Sequence, residues 1–465
     1  MAENGEIKSS DRVKEIQETL VSQVPLYLKQ ISEHRNKELR VSKCKVDLVS
    51  RSDLAFHGAS VLYSAVLELE EQVNDKVNVT RRQYDLIVKA KPSLAIVRLI
   101  QNSDDQFYNE AIFYSDIVPL LLDICSDVAC GDLIGRNLTT AYDMFTKCLY
   151  ASYEGETDLV ALEDLRSSGY KIGGNKDIMV MDYSHILLGV KNLAIFHALS
   201  YGAKEKNPKL FEQKVMDTVK DSRKFLEVKD YSKQITVAYL IYLRHTTSLL
   251  LDKFVEKEES ANLYTEQISK LRDVILDVEH FDKFIKYLLT PKEPLAVLCH
   301  GDFNMNNMMF KYDSDNQPVG IKFLDFQTIH YCSPMIDLSF FLFMNTTAEN
   351  RAEHWEEMFS MYHSTLLSAL SEFTNTSEQD LSSRYSLKIF QEELAKYCSY
   401  GYIIATTFII SYSCRPKDGD PFQDMDENKF IEDIYADLKR KFVIKDEVID
   451  RLFSLVKDVL QKMNI

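Results

Sequence analysis

The spacing of apolar residues changes along this chain, and this change limits the possible fold more than any other feature of the sequence. Over residues 40–92 the apolar residues stand in short runs rich in Val, Leu and Tyr, a composition typical of strands. From residue 183 onward they recur at helical spacing through long segments. This order predicts an α+β fold with two lobes, a small β-rich N-lobe and a larger, mainly helical C-lobe.

The individual elements follow from these patterns and from the turn residues between them. The predicted strands of the first part lie at 44–49, 60–69, 84–90, 144–152 and 159–162, with a hairpin loop over 70–82. The predicted helices lie at 11–34, 105–122, 183–201, 210–228, 233–254, 261–289 and through most of 351–465. Strands at 295–299 and 320–325 are expected to be the only interruptions of the helical part. We divide the chain into an N-terminal lobe, residues 1–162, and a C-terminal lobe, residues 163–465.

Composition argues against several classes of partner. A formal net charge of -16 repels nucleic acid and anionic membrane surfaces, so neither is an expected partner. The apolar stretches are interrupted by polar residues, and the N-terminal residues are acidic and polar where a secretory signal needs a basic start and an apolar run. The 8 cysteines form no C-x-x-C pair. These features predict a cytoplasmic protein with reduced thiols, no transmembrane helix and no obligate protein partner.

The strongest chemical signal is the segment 300–307, HGDFNMNN, which directly follows the apolar strand predicted at 295–299. Phosphoryl transfer from ATP needs a carboxylate that orients the attacking hydroxyl group and accepts its proton, together with oxygen ligands for Mg²⁺. Asp302 is therefore the candidate catalytic base, and Asn307 is a candidate metal ligand. A second acid, Asp325, ends the strand predicted at 320–325, and we predict that it anchors the metal.

A third element lies in the predicted N-lobe. Lys89 ends an apolar strand, and Glu110 lies on the helix predicted next along the chain. A lysine on an apolar strand is costly to bury unpaired, and a facing glutamate would neutralise it and direct it toward phosphate. The residues occur in the order Lys, Glu, Asp, Asn, Asp, and this order indicates a kinase rather than coincidence.

The sequence resembles the ecdysteroid kinase-like family, which is related to choline kinases and aminoglycoside phosphotransferases. The matching segments are 86–89 with Pro92, 107–114, 162–165, 193–200, 300–307, 325–327, 333–334 and 337–338. The resemblance implies a protein-kinase-like fold, ATP as phosphoryl donor, Asp302 as base, and Mg²⁺ on Asn307 and Asp325. It also implies that His300 and Asp337 hold the catalytic loop.

The resemblance further implies where the nucleotide is bound. A hinge at Glu163, Asp164 and Leu165 would bind adenine through its backbone. The loop over the phosphates departs from the family pattern, because it keeps Ser60 but shifts the glycine to Gly58. Backbone amides of this loop can cradle phosphate only if the chain turns there, and a glycine permits such a turn.

The acceptor is the least determined part of the prediction. The family implies an ecdysteroid or a similar lipophilic alcohol, and the uncharged, hydroxyl-bearing segment 399–414 either lines its cleft or is a plain core helix. Two other functions stay open: a pseudokinase that binds nucleotide without turnover, and a choline or aminoglycoside kinase with an aromatic cage or acidic pocket.

Overall fold

The computed structural model describes residues 9–30, 37–49, 60–73, 79–92, 98, 102–126, 135–153, 158–175, 178–220, 234–413 and 446–462. In its first part, five strands form one antiparallel sheet with the order β1-β2-β3-β5-β4. The elements of this part are α1 (Ser9–Gln30), β1 (Lys37–Leu48), β2 (Val61–Val73), β3 (Val79–Ala90), α2 (Ser103–Ile112), α3 (Val118–Ser126), α4 (Arg136–Asp143), β4 (Cys148–Ala151) and β5 (Leu159–Glu163). A π-helical turn, Phe113–Ile117, joins α2 to α3.

The sheet buries one face under α1. Leu67 and Leu69 of β2 are fully buried in the same cluster as Leu20 and Val24 of α1. Because successive side chains of a strand point to opposite faces, Glu68 and Glu70 of β2 lie on the other side, whereas Glu71 shares the buried face. The leading helix predicted at 11–34 is therefore confirmed up to Gln30 as a packing element of the sheet, and residues 31–34 lie outside the described ranges.

The hairpin loop predicted over 70–82 is wrong at both ends, because β2 continues to Val73 and β3 begins at Val79. The charges that suggested a loop are paired across the strands instead. Glu70 accepts hydrogen bonds from Arg40 at 2.6 Å and from Arg81 at 2.9 Å. The stretch between the two strands lies outside the described residues.

The second part is mainly helical. Its helices are α5 (Tyr183–Lys206), α6 (Pro208–Phe211), α7 (Gln234–Lys257), α8 (Thr265–Val274), α9 (Val278–Leu289), α10 (Met335–Asn345), α11 (Ala348–Thr374), α12 (Glu378–Arg384), α13 (Leu387–Ser413) and α14 (Asp446–Lys462). Its strands are β6 (Val297–Cys299), β7 (Met308–Tyr312), β8 (Pro318–Phe323) and β9 (His330–Cys332). The predicted fold class, α+β with a β-rich first lobe and a larger helical one, is confirmed.

Two predictions about the second part are wrong. Strands β7 and β9 were not expected, and at 5 and 3 residues each is too short to carry a readable alternation. Their pairing with β8 and β6 is a tertiary contact. The helical pattern predicted over 261–289 is broken before α9, where the Asp277 side chain accepts the amide of His280 at 2.9 Å and caps the new helix.

Smaller differences concern two helices. α4 was not predicted, and the helix predicted at 210–228 is described only as α6 followed by a π-helical turn, Glu212–Met216. Residues 221–228 lie outside the described ranges.

The larger core surrounds α5. This helix is apolar and long enough to cross a membrane by length and composition, yet 83% of its most apolar stretch is buried inside the protein. Residues of α2 and α3 join this core and not the core beneath the sheet. The division of the chain at residue 162 stays a prediction, although β5 and with it the sheet end at Glu163.

Candidate active site

Lys89 lies at the centre of the site, on the third strand of the sheet. Its Nζ is 2.7 Å from Glu110 Oε1 on α2 and 2.6 Å from Asp325 Oδ1. All three side chains are almost fully buried. Burial opposes the charged form of Lys89, but the carboxylates of Asp325 and Glu110 outweigh it and raise the pKa of the ammonium above its usual value. The predicted pair is therefore in contact, and its lysine also reaches the predicted metal ligand.

The loop that carries Asp302 turns sharply after β6. Gly301 has φ 83°, and a Cβ at this position would lie 2.1 Å from the carbonyl oxygen of Thr328. Only glycine fits both the backbone conformation and the close approach of the neighbouring chain. The glycine of the motif is thus required by the turn that presents Asp302.

Asp337, in the first turn of α10, fixes the backbone of this loop. Its two carboxylate oxygens accept the backbone amides of His300 at 2.6 Å and Gly301 at 2.8 Å. Burial opposes ionisation of Asp337, but hydrogen bonds from His197 and from the Gly301 amide outweigh it, so the pKa of this carboxyl lies below its ordinary value. Burial also lowers the pKa of His197, whose ring nitrogens lie 3.2 Å from Asp337 Oδ2 and 2.7 Å from the Tyr362 hydroxyl oxygen.

The Asp302 carboxylate is oriented by two side-chain amides. Asn304 Nδ2 donates to Oδ1 at 2.8 Å, and Asn307 Nδ2 donates to Oδ2 at 2.9 Å. Because the nitrogen of Asn307 faces Asp302, its amide oxygen is turned away from that carboxylate and can act as a ligand. Asn304 was not among the predicted site residues, although a side-chain amide two residues after the acid was a visible signal.

The segment around Asp325 is hydrogen-bonded to the same loop. The Leu324 amide donates to the carbonyl of Asn307 at 2.9 Å, and His300 Nε2 lies 2.9 Å from the Leu324 carbonyl. Asp325 itself, two residues after the end of β8, has φ 65°, a left-handed conformation that redirects the chain. These contacts bring the predicted base and both predicted metal ligands, Asn307 and Asp325, to one side of the lobe.

Phe326 fixes this segment against α2. Its ring stacks on Phe113 with 3.7 Å between the centroids, and Tyr114 meets it edge-on at 5.8 Å. Both partners belong to the π-helical turn that follows Glu110. The helix that carries Glu110 therefore packs directly on the residue after Asp325.

The predicted phosphate loop is described only at its end. Gly58 lies outside the described residues. Ser60 directly precedes β2, and its buried hydroxyl oxygen has no hydrogen-bond partner within the described part of the chain. An unsatisfied buried hydroxyl is costly unless a ligand or water completes it, so Ser60 is compatible with a phosphate contact.

Two of the three backbone amides of the hinge predicted at residues 163–165 already donate hydrogen bonds within the protein. The amide of Glu163 donates to Lys147 at 2.9 Å and the amide of Asp164 donates to Asp85 at 2.7 Å. Arg166 occupies the Asp164 carboxylate at 2.7 Å. Of the three predicted hinge amides, only that of Leu165 has no such partner among the described residues.

The donor set fits a hard divalent cation. Asp325 offers a carboxylate and Asn307 an amide oxygen, both from buried residues, and Mg²⁺ prefers oxygen ligands of these kinds. A second group of possible metal ligands is formed by His197, Cys299 and Asp337, whose ligand atoms all lie within 4.8 Å of one another. Its donor atoms, however, already take part in hydrogen bonds that support the loop.

The segment 399–414, one possible lining of an acceptor cleft, is described up to residue 413 and lies in α13. Most of it is buried, and the hydroxyls of Thr406 and Thr407 bond to the Tyr402 and Ile403 carbonyls of the same helix at 2.8 Å. Gly401 packs directly on the backbone of Ser339 in α10. The core-helix interpretation therefore describes this segment.

The geometry has the arrangement of a protein-kinase-like fold. A lysine on the third strand pairs with a glutamate on the next helix, while an Asp and Asn loop and a second Asp lie opposite. The chain belongs to the ecdysteroid kinase-like family, whose sequence model matches residues 57–374.

Two solved structures are similar to the chain at low sequence identity. It is similar to the GDP complex of a mutant aminoglycoside 2'-phosphotransferase-IIIa, at 11% identity over 94% of this chain and 95% of that one, with a TM-score of 0.30. It is also similar to a microcompartment-associated aminopropanol kinase, at 13% identity over 80% of this chain and 94% of that one, with a TM-score of 0.26. No curated protein matches it.

Proposed function

We propose that this protein transfers the γ-phosphate of ATP to a hydroxyl group of a small molecule, with Mg²⁺ as cofactor. The observation that carries the proposal is the position of Lys89, whose ammonium contacts Glu110 at 2.7 Å and Asp325 at 2.6 Å. These groups come from segments far apart in the chain, and kinases use this trio to hold the phosphates and the metal.

Each residue then has a definite task. Lys89, held in place by Glu110, would bind phosphate oxygens, and Asn307 and Asp325 would hold Mg²⁺, which when bound neutralises phosphate charge. Asp302, oriented by its two amide donors, would accept the proton of the acceptor hydroxyl group. The acceptor oxygen bonds to the γ-phosphorus, the bond from that phosphorus to the bridging oxygen breaks, and ADP leaves.

Family membership supports a lipophilic alcohol, of the ecdysteroid class, as the acceptor. Only a short stretch separates Asp325 from Pro334, too few residues for a long activation segment, which favours a small molecule over a protein substrate. We also propose a cytoplasmic location, which the net charge and the reduced thiols of the described residues support. These thiols are Cys44, Cys125, Cys148, Cys299, Cys332 and Cys398.

An ATP-consumption screen tests the proposal. The purified protein with Mg²⁺ and ATP is offered ecdysteroids, phenolic glycosides, choline and aminoglycosides, with the Asp302→Asn variant and added chelator as controls. We expect turnover with a steroid or phenolic alcohol, lost in both controls. Turnover with choline or an aminoglycoside alone would overturn the acceptor class, and nucleotide binding without turnover on any acceptor would favour a pseudokinase.

A further inference from the structure

Asn109 directly precedes Glu110 in α2, and its side chain is fully buried. Its carboxamide forms hydrogen bonds to both the carbonyl and the amide of one residue of the C-terminal lobe. Nδ2 donates to the carbonyl of Lys220 at 2.7 Å, and Oδ1 accepts the amide of Lys220 at 2.9 Å. This reciprocal pair resembles the pairing of two strands, but it is made by one side chain and one backbone.

The side chain of Lys220 adds contacts to the same helix. Its Nζ lies 3.2 Å from Asp105 Oδ1 and 4.1 Å from the centre of the Tyr108 ring. Asn109 Nδ2 also lies 3.5 Å from the carbonyl of Ile329, shortly after Asp325 in the chain. Two segments of the C-terminal lobe therefore meet α2 around Asn109.

The helix geometry links these contacts to the ion pair. Consecutive residues of an α-helix point about 100° apart, so α2 directs Glu110 toward Lys89 and Asn109 toward the C-terminal lobe. A rotation of α2 that withdrew Glu110 from Lys89 would break both bonds to Lys220. Because a buried amide without partners is costly, such a rotation is opposed at Asn109 as well as at the ion pair.

We infer that Asn109 is a positioning residue. Its two hydrogen bonds to Lys220 set the rotation of α2 and thereby keep Glu110 against Lys89. Lys220 docks the C-terminal lobe onto the helix. The effect on catalysis rests on the proposed kinase function, whereas the effect on the helix does not. In this role Asn109 acts through Glu110 and Lys89 and not on the reacting atoms.

The test compares Asn109→Ala with Asn192→Ala. Asn192 is a matched control because it is also buried, and its Nδ2 donates at 2.9 Å to Leu188 within α5. Hydrogen exchange of the amides of 103–112 and the kinetic constants for ATP are measured for each. In Asn109→Ala we expect exchange on the order of tenfold faster and a KM for ATP raised about tenfold, with a smaller loss of kcat. In Asn192→Ala we expect only a lower melting temperature.

A second variant guards against misfolding of the first. Lys220→Ala removes the contacts to Asp105 and Tyr108 from a side chain that is 47% exposed, and leaves the backbone partners of Asn109 in place. We expect about twofold to threefold changes in both measurements.

Unchanged exchange over 103–112 in both variants would overturn the inference. Equal changes in Asn109→Ala and Asn192→Ala would overturn it too, since they would show a general loss of stability. If the wild-type protein lacked ATP turnover, the proposed function would fail, while the exchange measurement would still decide the role of Asn109.

Discussion

Asn307 donates its side-chain amide to the carboxylate of Asp302 at 2.9 Å, so the predicted base and a predicted metal ligand are held by one hydrogen bond. The bond orients both groups at once. It directs one Asp302 oxygen, and it turns the amide oxygen of Asn307 away from that carboxylate. Loss of the Asn307 side chain is therefore expected to misorient Asp302 as well.

Asp302→Asn should remove turnover and leave the nucleotide bound. An amide cannot accept the proton of the acceptor hydroxyl group, and a general base contributes on the order of 10²- to 10⁴-fold in rate, or about 3 to 5 kcal/mol. Steady-state kinetics measures the loss, and calorimetry checks that affinity for ATP with Mg²⁺ stays within about twofold. Near-normal turnover in this variant would remove Asp302 from the mechanism.

Asp325→Ala should abolish stabilisation of the protein by ATP with Mg²⁺. The remaining ligand Asn307 is neutral and cannot offset the charge of the ion. Lys89 would keep Glu110 as a partner, so the fold should persist. Thermal melting with and without the nucleotide and metal measures the effect, and an unchanged shift would mean that another acid holds the ion.

Asp337→Asn should destabilise the protein at neutral pH. It should also make the unfolding free energy depend less on pH in the acid range. The folded pKa of Asp337 is lowered, so its contribution is present above the unfolded pKa of about 4 and is lost as the pH falls through the lower, folded value. Denaturant melts between neutral pH and pH about 3 compare variant and wild type. Parallel pH curves would show that Asp337 does not supply this stability.

Arg451→Met should loosen the support behind the catalytic loop. Arg451 of α14 donates to the carbonyl of Met344 at 2.5 Å, and the next residue, Asn345, accepts the amide of Met305 at 3.2 Å. Burial and the nearby Arg351 lower the pKa of Arg451 to about 10, which leaves it charged at neutral pH.

The expected loss for Arg451→Met is on the order of 2 to 3 kcal/mol in unfolding free energy, with a fall in kcat. The control is Arg384→Met, which removes an arginine whose side chain is 50% exposed and paired with Glu205. If the two variants lost the same stability and activity, the buried contacts of Arg451 would be of no special value.

The site was predictable from the sequence where side-chain chemistry and local pattern coincide. Lys89, Glu110 and Asp325 were predicted as one unit from their order and their places on strands and a helix, and they are in contact. It failed for the loop at 70–82, because paired charges on an exposed sheet face look like a loop when the partner strands are unknown. The roles of Gly58, Ser60 and the hinge residues stay predictions.

The chain by itself determined the order of the lobes and the residue types at the site, because propensity, periodicity and motif spacing are properties of neighbouring residues. Only the tertiary structure decided which groups meet. Lys89 and Asp325 are separated by 236 residues, and their 2.6 Å contact depends on how both lobes pack. The hydrogen bonds of Asn109 to Lys220 and the burial of α13 also depend on tertiary packing. A hydrogen-bond partner or a covering surface far along the chain leaves no trace in the local sequence.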